Sequence, residues 1–399
     1  MNRPEALPAI DRLCFAGLVG SAWLVRGTCL VGIVRPVSLI GHGDRVAGAQ
    51  RARMPRAWLP FATLLGILSL LASPAAAQMS ARVGTPVPER VAAHADVVYP
   101  RRPVTLVIPY AQGGPTDKVA RPLVRELARQ LGQDVRLRYE GGEGATRGPR
   151  KLLAEGGDEG HVLLLHNIGM ASAPTLYRRL GFDPRRDFVP VGLVADAPMM
   201  ILGRRDLPPR DAGELWTYIQ RHESTLAVAY GGPGGAGQLC GLMLEAALKV
   251  RLIWVPYTGT GPALEDLERG RADLICDQTT HAMKALESGN ARAYALTADR
   301  RLALLADLPT TAEAGQGGVR IVVWHALYAV AGTPTPVVQR LSAALQAAVE
   351  APAFIAAMAR VGVVPATADQ ATPTALAGRL EREIVRWRPM IVRAGQYAD

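Results

Sequence analysis

The sequence predicts an α/β protein with mostly parallel sheets, in which the chain crosses twice between two domains. Short apolar runs rich in β-branched residues alternate along the chain with segments of helical spacing. A polar or glycine-rich loop follows each of these runs, which is the arrangement of strand–loop–helix units. Two long extended stretches, residues 190–203 and 319–330, interrupt the alternation. We expect them to carry the chain from a discontinuous outer domain into an inserted domain and back.

The first strand–loop–helix unit organises the rest of the chain. A buried strand is predicted over residues 105–108, and Gly113 and Gly114 follow in the loop. Because glycine has no Cβ, the backbone can approach another group closely there. We expect Thr116 or Asp117 to cap the next helix. The unpaired N–H groups of a helix start favour a bound anion, although an ordinary strand-to-helix turn explains the same residues.

The remaining elements follow the same spacing rules. The helix expected over residues 117–131 contains Pro122, so we expect it to start late or to kink there. The other predicted strands cover residues 135–139, 161–165, 225–229, 252–255, 272–276 and 291–296. The other predicted helices cover residues 211–222, with Asp211 as the cap, and residues 238–248, 336–350, 352–361 and 373–394.

Polar residues end the strand predicted over residues 161–165. Ligands of open parallel sheets gather at the carboxyl ends of the strands. We therefore favour ligand binding for Asn167. For His166 we favour the role of a hydrogen-bonded polar residue in the core, with binding as the alternative.

Length and charge bound the possible functions. The chain has 399 residues, of which 49% are hydrophobic and 20% charged, enough for two domains with good cores. The formal net charge is +10, and the first 77 residues, with eight arginines and three acids, carry half of it. The other arginines are scattered among acids, and the whole chain has five phenylalanines. This pattern argues against a nucleic-acid surface and suits a protein that meets small anions.

A secretory signal peptide is predicted over residues 54–77. Residues 51–56 are basic, residues 57–71 are apolar, and an Ala-x-Ala pattern ends at Ala77. These are the three parts of a cleavable signal, and the apolar part is too short for a comfortable membrane span. The sequence therefore predicts export.

The signal begins about fifty residues into the chain, which is unusual for a signal peptide. We infer that Met54 is the true start and that residues 1–53 come from a misassigned upstream start. The alternative is a membrane segment over residues 13–34, in which the charge of Arg26 would be costly. Residues 78–98 would then form a polar leader to the first strand.

The four cysteines show no metal-binding spacing. They stand at positions 14, 29, 240 and 276, without a Cys-x-x-Cys pair or a zinc-like Cys/His cluster. Only Cys240 and Cys276 lie in the expected mature chain. They are candidates for a disulfide in an oxidising compartment, and the alternative is two small buried apolar residues.

One sequence motif suggests an enzyme. Residues 232–237 match G-x-G-x-x-G between a predicted strand and a helix, which is the dinucleotide fingerprint. That fingerprint requires an acidic residue at the end of the next strand, but this strand ends at Tyr257 without one, and Glu245 lies in the intervening helix. A dinucleotide-dependent oxidoreductase is therefore the less favoured alternative. The histidines that could serve as a base have no evident nucleophile at a recognisable spacing: His166, His281 and His325.

Ten short segments carry a resemblance to a known family over residues 99–399. They are Tyr99-Pro100, Val107-Ile-Pro-Tyr110, Gly113-Gly-Pro-Thr-Asp117, Asp183-Pro184, Asp187-Phe188, Val255-Pro-Tyr257 with Gly259-Thr-Gly-Pro-Ala263, Ala272-Asp-Leu274, Leu308-Pro-Thr310, Glu313-Ala-Gly315 and Ala331-Gly-Thr-Pro334. In this order and spacing they resemble the periplasmic solute receptors of tripartite tricarboxylate transporters, the Bug family.

The resemblance implies a two-domain periplasmic binding protein of type II, a Venus flytrap with its ligand in the interdomain cleft. Domain 1 would comprise residues 99–198 and 323–399, and domain 2 residues 199–322. The ligand would be a small organic carboxylate that is passed to integral-membrane transporter subunits, with no catalysis, cofactor or metal. The compartment would be the periplasm of a Gram-negative bacterium, and a sensor's input domain of the same fold is the alternative.

The resemblance also implies a set of ligand-binding residues. The first loop would contribute Tyr110, Gln112, Gly113, Gly114, Thr116 and Asp117, and the neighbouring strand Asn167. The glycine-rich loop of the other domain would contribute Gly234, Gly235, Ala236, Gly237 and Gln238. Tyr257, Thr258, Asp277 and Gln278 would line the inserted domain.

Two departures from the family pattern bear on the ligand. The hydroxyl and histidine side chains usual in the second loop are absent over residues 235–238, and Thr258 stands where a basic residue is frequent. These changes disfavour a small tricarboxylate. They suit a bulkier or less charged acid, with Gln278, Thr279 or Trp324 shaping the pocket.

Overall fold

Strands and helices alternate through the residues that this computed structural model describes, which are 98–395 and 397–398. The strands are β1 Val104–Ile108, β2 Val135–Tyr139, β3 Val162–Asn167, β4 Phe188–Arg204, β5 Ala227–Tyr230, β6 Ile253–Pro256, β7 Leu274–Gln278, β8 Ala291–Leu296, β9 Val322–Val330 and β10 Val364–Pro365. The α-helices are α1 Pro115–Leu131, α2 Arg147–Glu155, α3 Gly169–Leu176, α4 Ala212–His222, α5 Ala236–Leu248, α6 Thr260–Glu268, α7 Thr279–Glu287, α8 Thr335–Glu350, α9 Pro352–Ala359 and α10 Pro373–Ala394. The predicted signal peptide and upstream segment, and the leader up to residue 97, lie outside the described residues.

The strands form one mixed sheet in the order β2-β1-β3-β9-β4-β7-β5-β6, and β8 and β10 pair with β4. Pairing is parallel at both ends of this order, between β1 and its neighbours β2 and β3 and between β5 and its neighbours β6 and β7. The two long strands β4 and β9 pair antiparallel with each other and with the strands beside them. The predicted strand–loop–helix units therefore form the two parallel ends of the sheet. The antiparallel pairing in the middle arises because β9 runs back along β4.

β4 is 17 residues long and changes partners along its length. Its first half pairs with β9, from Phe188 opposite Val330 to Pro198 opposite Val322. Its second half pairs with β7 and β8, down to Arg204 opposite Ala291. The two extended stretches predicted from the sequence are therefore the strands that link the two parallel ends of the sheet.

The core lies along these crossing strands. Phe188 of β4 and Trp324 and Tyr328 of β9 have almost no exposed surface. Burial of an apolar side chain such as that of Phe188 contributes about 1.5–3 kcal/mol. The site loops therefore stand on well-packed strands.

The starts of α1 and α7 depart from what the sequence predicts. α1 begins at Pro115 with Gly114 as its N-cap and runs through Pro122, so Thr116 and Asp117 are inside the helix and neither caps it. Proline fits the first helical turn because its missing N–H has no partner there in any case. The residues after β7, expected as a loop, instead begin α7 at Thr279.

Apart from α10, the described α-helices have fewer than 18 residues. No single helix among them is both long and apolar enough to cross a membrane. α8 and α9 meet that criterion only when taken together, as a pair bent by 60°.

Candidate functional site

Strand register brings the ends of the two parallel sets together at the middle of β4. Asn167, at the end of β3, lies opposite His325, which in turn lies opposite Ala195 of β4. Gln278, at the end of β7, lies opposite Met199 of β4. Because β3 and β7 run in opposite directions, their carboxyl ends converge on four residues of β4, a length of about 13 Å. The loops that follow β3 and β7 therefore meet at the middle of β4.

The first loop is held by a buried carboxylate. Asp117 is 2% exposed, and its Oδ2 accepts the Gly113 N–H at 2.8 Å. Its Oδ1 accepts the Tyr139 hydroxyl at 2.7 Å, and Oδ2 also accepts Arg121 Nε–H at 2.8 Å. Burial acts to raise the pKa of Asp117, but these hydrogen bonds outweigh burial and lower it. Asp117 is thus an ionised anchor of the loop, while the predicted ligand residue Gln112 is exposed.

The start of α1 offers backbone donors beside this anchor. Within the described part of the chain, no acceptor takes the N–H of Thr116 or Asp117. The Thr116 hydroxyl oxygen lies 3.3 Å from His325 Nε2 on β9, so α1 packs against the crossing strand. Free N–H groups and the helix dipole together favour an anion at this position.

Asn167 is oriented by two donors. Its Oδ1 accepts the Tyr110 hydroxyl at 2.7 Å and the Gly169 N–H at 3.0 Å. Because the oxygen is fixed, Nδ2 must point the other way, and none of the residues described here accepts its hydrogens. Burial raises the pKa of Tyr110, so its hydroxyl remains a donor. The predicted pair therefore presents an amide donor at the end of β3.

His166 is hydrogen-bonded within the fold, in agreement with its predicted role as a core residue. Its Nδ1 accepts the Asn167 N–H at 2.8 Å, and its Nε2 lies 3.2 Å from the Ala145 carbonyl oxygen. Burial lowers its pKa to about 4. The ring is therefore neutral at physiological pH and helps to hold the backbone at Asn167.

The glycine-rich second loop mirrors the first. The Gly234 N–H donates to Gln238 Oε1 at 2.8 Å, and Gly234 has a φ of +81°, which favours glycine. Gly235 is the N-cap of α5. Among the described residues the N–H groups of Ala236 and Gly237 have no acceptor. Each parallel end of the sheet thus supplies one helix start with free donors.

A disulfide ties α5 to the end of β7. Cys240 and Cys276 are bonded, with their Cα atoms 6.3 Å apart. A Cβ on Gly237 would lie 3.1 Å from the Cys276 carbonyl oxygen, so the second loop packs directly against β7. The candidate cysteine pair of the sequence is thus a crosslink beneath the second loop.

The residues predicted to line the inserted domain differ in their surroundings. Asp277 is 1% exposed; it accepts the Gln278 N–H at 2.8 Å and His281 Nδ1–H at 2.7 Å. Gln278 Oε1 is buried without a hydrogen-bond partner among the described residues. The Tyr257 hydroxyl donates to Asp266 at 2.8 Å, and Thr258 is exposed. Gln278 is therefore the member of this group with an unused buried acceptor.

Three side chains contact segments that are distant in the sequence. Lys118 Nζ donates to the Thr280 carbonyl oxygen at 2.7 Å, and Thr279 Oγ1 donates to the Gly362 carbonyl oxygen at 2.9 Å. The Tyr177 hydroxyl lies 3.3 Å from the Glu143 carbonyl oxygen and 3.5 Å from that of Pro233. Sequence reasoning did not single out Lys118 or Tyr177. The sequence could have drawn attention to Lys118, because it is one of four lysines in the chain and directly follows the first loop.

The described surroundings of the glycine motif lack a ribose-binding acid. Glu245, the acid within α5, is turned inward, where its Oε1 accepts the Leu252 N–H at 2.8 Å and Trp254 Nε1–H at 3.2 Å. It is therefore committed to holding β6 against α5. A cavity of about 490 Å³ lies between α5 and α10, and none of the predicted site residues lines it.

A family profile and a related protein both match most of this chain. The sequence profile described as "Tripartite tricarboxylate transporter family receptor" matches residues 119–395. A protein of Agrobacterium vitis, the UPF0065 protein in the TAR-I ttuE-ttuC' intergenic region, is 39% identical over 304 residues, which cover 76% of this chain and 88% of that protein.

Two solved structures are similar along nearly their whole length. The periplasmic binding protein BugD shares 39% identity with a TM-score of 0.70, covering 75% of this chain and 99% of BugD. MatC from Rhodopseudomonas palustris, solved with bound malate, shares 36% identity with a TM-score of 0.69, covering 73% of this chain and 100% of MatC. The fold is therefore that of a two-domain periplasmic binding protein, which confirms the predicted fold class.

Proposed function

The chain belongs to the tripartite tricarboxylate transporter receptor family, and from that membership we propose that it captures a small organic carboxylate and delivers it to transporter subunits in the membrane. The observation that carries the proposal is that two helix starts, α1 and α5, each carry two N–H groups that no described residue accepts. This arrangement is suited to binding and leaves the ligand chemically unchanged.

The proposed domains are residues 99–198 with 323–399, and residues 199–322. The partner change of β4, from β9 to β7 and β8, supports this division. The crossing strands would act as the hinge, and the ligand would favour closure by binding the closed form better than the open one.

In the proposed complex, one ligand carboxylate lies between the two helix starts. Thr116 and Asp117 would donate from one side through their backbone N–H groups, and Ala236 and Gly237 from the other. Asn167 Nδ2 would add a side-chain donor. Charged acceptors strengthen such hydrogen bonds, so backbone amides suffice without an arginine.

The ligand class follows from what the loops lack. Residues 235–238 carry no hydroxyl group, and Thr258 is uncharged, so the site has less positive charge than a tricarboxylate would call for. MatC, a similar protein, was solved with bound malate. We propose an acid with one or two carboxylates as the ligand of this chain.

The proposed compartment is the periplasm, reached through the signal peptide over residues 54–77. The disulfide between Cys240 and Cys276 supports an oxidising compartment, because such bonds are rare in reducing cytosol. A sensor's input domain remains the second candidate, since it would use the same fold and the same binding step. Solute uptake by cells with and without the protein would separate the two, because a sensor would leave uptake itself unchanged.

Ligand-dependent thermal unfolding tests the proposed binding. The purified chain would be unfolded and refolded to remove carried ligand, then heated with mono-, di- and tricarboxylates, aromatic acids, amino acids and nicotinamide dinucleotides. A ligand at about 100 times its Kd adds roughly 2.7 kcal/mol to the free energy of unfolding, which raises Tm measurably. We expect a shift with one carboxylate class. A shift with a dinucleotide alone would contradict the receptor and favour the oxidoreductase.

A further inference from the structure

Lys118 occupies an unusual position in the fold. It lies in the first turn of α1, next to the first loop, and its Nζ donates to the Thr280 carbonyl oxygen of α7 at 2.7 Å. It is half-buried. Its ammonium group therefore lies where the carboxyl ends of β1 and β7 face each other.

No carboxylate within the described part of the chain forms an ion pair with Lys118. Lys151, by comparison, pairs with Glu140 Oε1 at 2.5 Å. Asp277 attracts the charge of Lys118, but both oxygens of its carboxylate are engaged, by the Gln278 N–H and by His281. Glu287 attracts the same charge and Lys284 repels it, both from farther along α7. Carboxylates therefore attract the ammonium group of Lys118, but none of the described ones forms an ion pair with it.

The surroundings disfavour a positive charge at this place. A cation at the start of a helix faces the positive end of the dipole, where an anion would be favoured. Burial lowers the pKa of Lys118, which is a second unfavourable effect on the charged form. A bound anion would offset both effects.

Two buried polar atoms at the junction of β7 and α7 have no hydrogen-bond partner among the described residues. Gln278 Oε1 and Thr280 Oγ1 are buried and accept no hydrogen bond from any described residue. Gln278 is 6% exposed and Thr280 is 1% exposed. Both belong to the segment whose carbonyl oxygen accepts from Lys118. The Thr280 hydroxyl has a hydrogen that it can donate to a carboxylate, whereas Gln278 Oε1 is an acceptor only.

We propose that Lys118 binds a second carboxylate of the ligand and makes the site selective for dicarboxylates over monocarboxylates. The inference rests on the proposed function, in which the helix starts hold the first carboxylate. An ammonium group has three donors, and Thr280 uses one, so two remain for the ligand. Hydrogen bonds between charged groups are strong enough to change affinity about 10- to 100-fold.

The test compares ligand pairs that differ by one carboxylate. Succinate is paired with butyrate, malate with 3-hydroxybutyrate, and adipate with hexanoate, and Kd is measured by calorimetry on the refolded chain. We expect the wild type to prefer the dicarboxylate of one pair by at least about tenfold. Lys118→Met should weaken that dicarboxylate about 10- to 100-fold and leave its monocarboxylate partner unchanged. Lys118→Arg should keep most of the preference.

Lys249→Met is the matched control, because Lys249 is an exposed lysine at the C-cap of α5 and is not among the charges that act on Lys118. It should leave the preference intact. Thermal unfolding of each variant checks that it folds. An unchanged preference in Lys118→Met, or an equal loss of both partners, would overturn the role of Lys118. No binding of any pair by the wild type would instead contradict the proposed function and the inference with it.

Discussion

The Tyr110 hydroxyl donates to Asn167 Oδ1 at 2.7 Å and thereby fixes the side-chain amide of Asn167, the last residue of β3. Tyr110 belongs to the loop after β1, and Asn167 ends the neighbouring strand. This side-chain hydrogen bond therefore joins the ends of β1 and β3. The donor that we assign to the ligand, Asn167 Nδ2, therefore depends on a residue in another segment.

Tyr110→Phe should weaken carboxylate binding. Asn167 Oδ1 would keep only the Gly169 N–H, so the amide could turn away from the ligand. We expect a loss of about 1 kcal/mol in the free energy of unfolding and about a fivefold loss of affinity. Denaturant unfolding and calorimetric titration measure the two effects. Tyr294→Phe is the control, because it removes a hydrogen bond to Pro209 away from the site and should not alter affinity.

The disulfide between Cys240 and Cys276 should contribute measurably to stability. It spans 36 residues, and closing a loop of that length in the unfolded chain corresponds to about 3–4 kcal/mol. The double substitution Cys240→Ala with Cys276→Ala should lower the denaturation midpoint accordingly. A thiol reductant should then lower the wild-type midpoint toward that of the variant and leave the variant unchanged. Equal midpoints for the two proteins would mean that the bond does not form.

The carboxylate of Asp117 should stabilise the fold above acidic pH. Its folded pKa lies below the ordinary value of 3.8, so the contribution is complete above pH 3.8 and is lost as pH falls through the folded pKa. Asp117→Asn should cost about 1–3 kcal/mol at neutral pH and flatten the acid dependence of unfolding. Urea unfolding between pH 2 and pH 7 measures this. Asp206→Asn is the control at an exposed carboxylate, where we expect little change.

His166 and His325 should make the fold sensitive to mild acid. Burial lowers their pKa values to about 4 and about 3, and for His325 the charge of His166 acts in the same direction. Because the folded values lie below the ordinary 6.5, the stability is complete above pH 6.5 and is lost as pH falls toward the folded values. Each histidine should contribute a slope of about 1.4 kcal/mol per pH unit within that range.

Guanidinium unfolding between pH 5 and pH 7.5 measures this slope. His325→Gln should reduce it. His222→Gln, on the half-buried outer side of α4, should leave it as in the wild type. A slope that is the same in all three proteins would refute the assignment to the buried rings.

Local patterns predicted most elements because local physics decides them. The bounds of β8 and α10 agree with the sequence prediction, and Asp211 caps α4 by accepting the Glu214 N–H at 2.9 Å. α1 was misjudged because Pro115 in its first turn was not treated as a start signal. No helix was predicted over the residues of α7, which follow β7 directly.

Contacts between distant segments were not predictable from spacing. Lys118 and Thr280 are 162 residues apart, and only the convergence of β3 and β7 on β4 brings them together. The same holds for Tyr177 and the second loop. The family resemblance predicted which loops form the candidate site. The contacts between those loops depend on the paired strands beneath them.

The central claim is that backbone donors at the helix starts bind a carboxylate. Calorimetric titration of Ala236→Pro with the carboxylate that stabilises the wild type tests it most directly. Proline at the first helical position removes one N–H and suits the helix start, and the preceding Gly235 is already extended. Ala212→Pro at the start of α4 is the matched control. We predict saturable wild-type binding, about tenfold weaker binding by Ala236→Pro, and no change in Ala212→Pro. Equal affinities of the two proline variants, or no carboxylate binding by the wild type, would contradict the account.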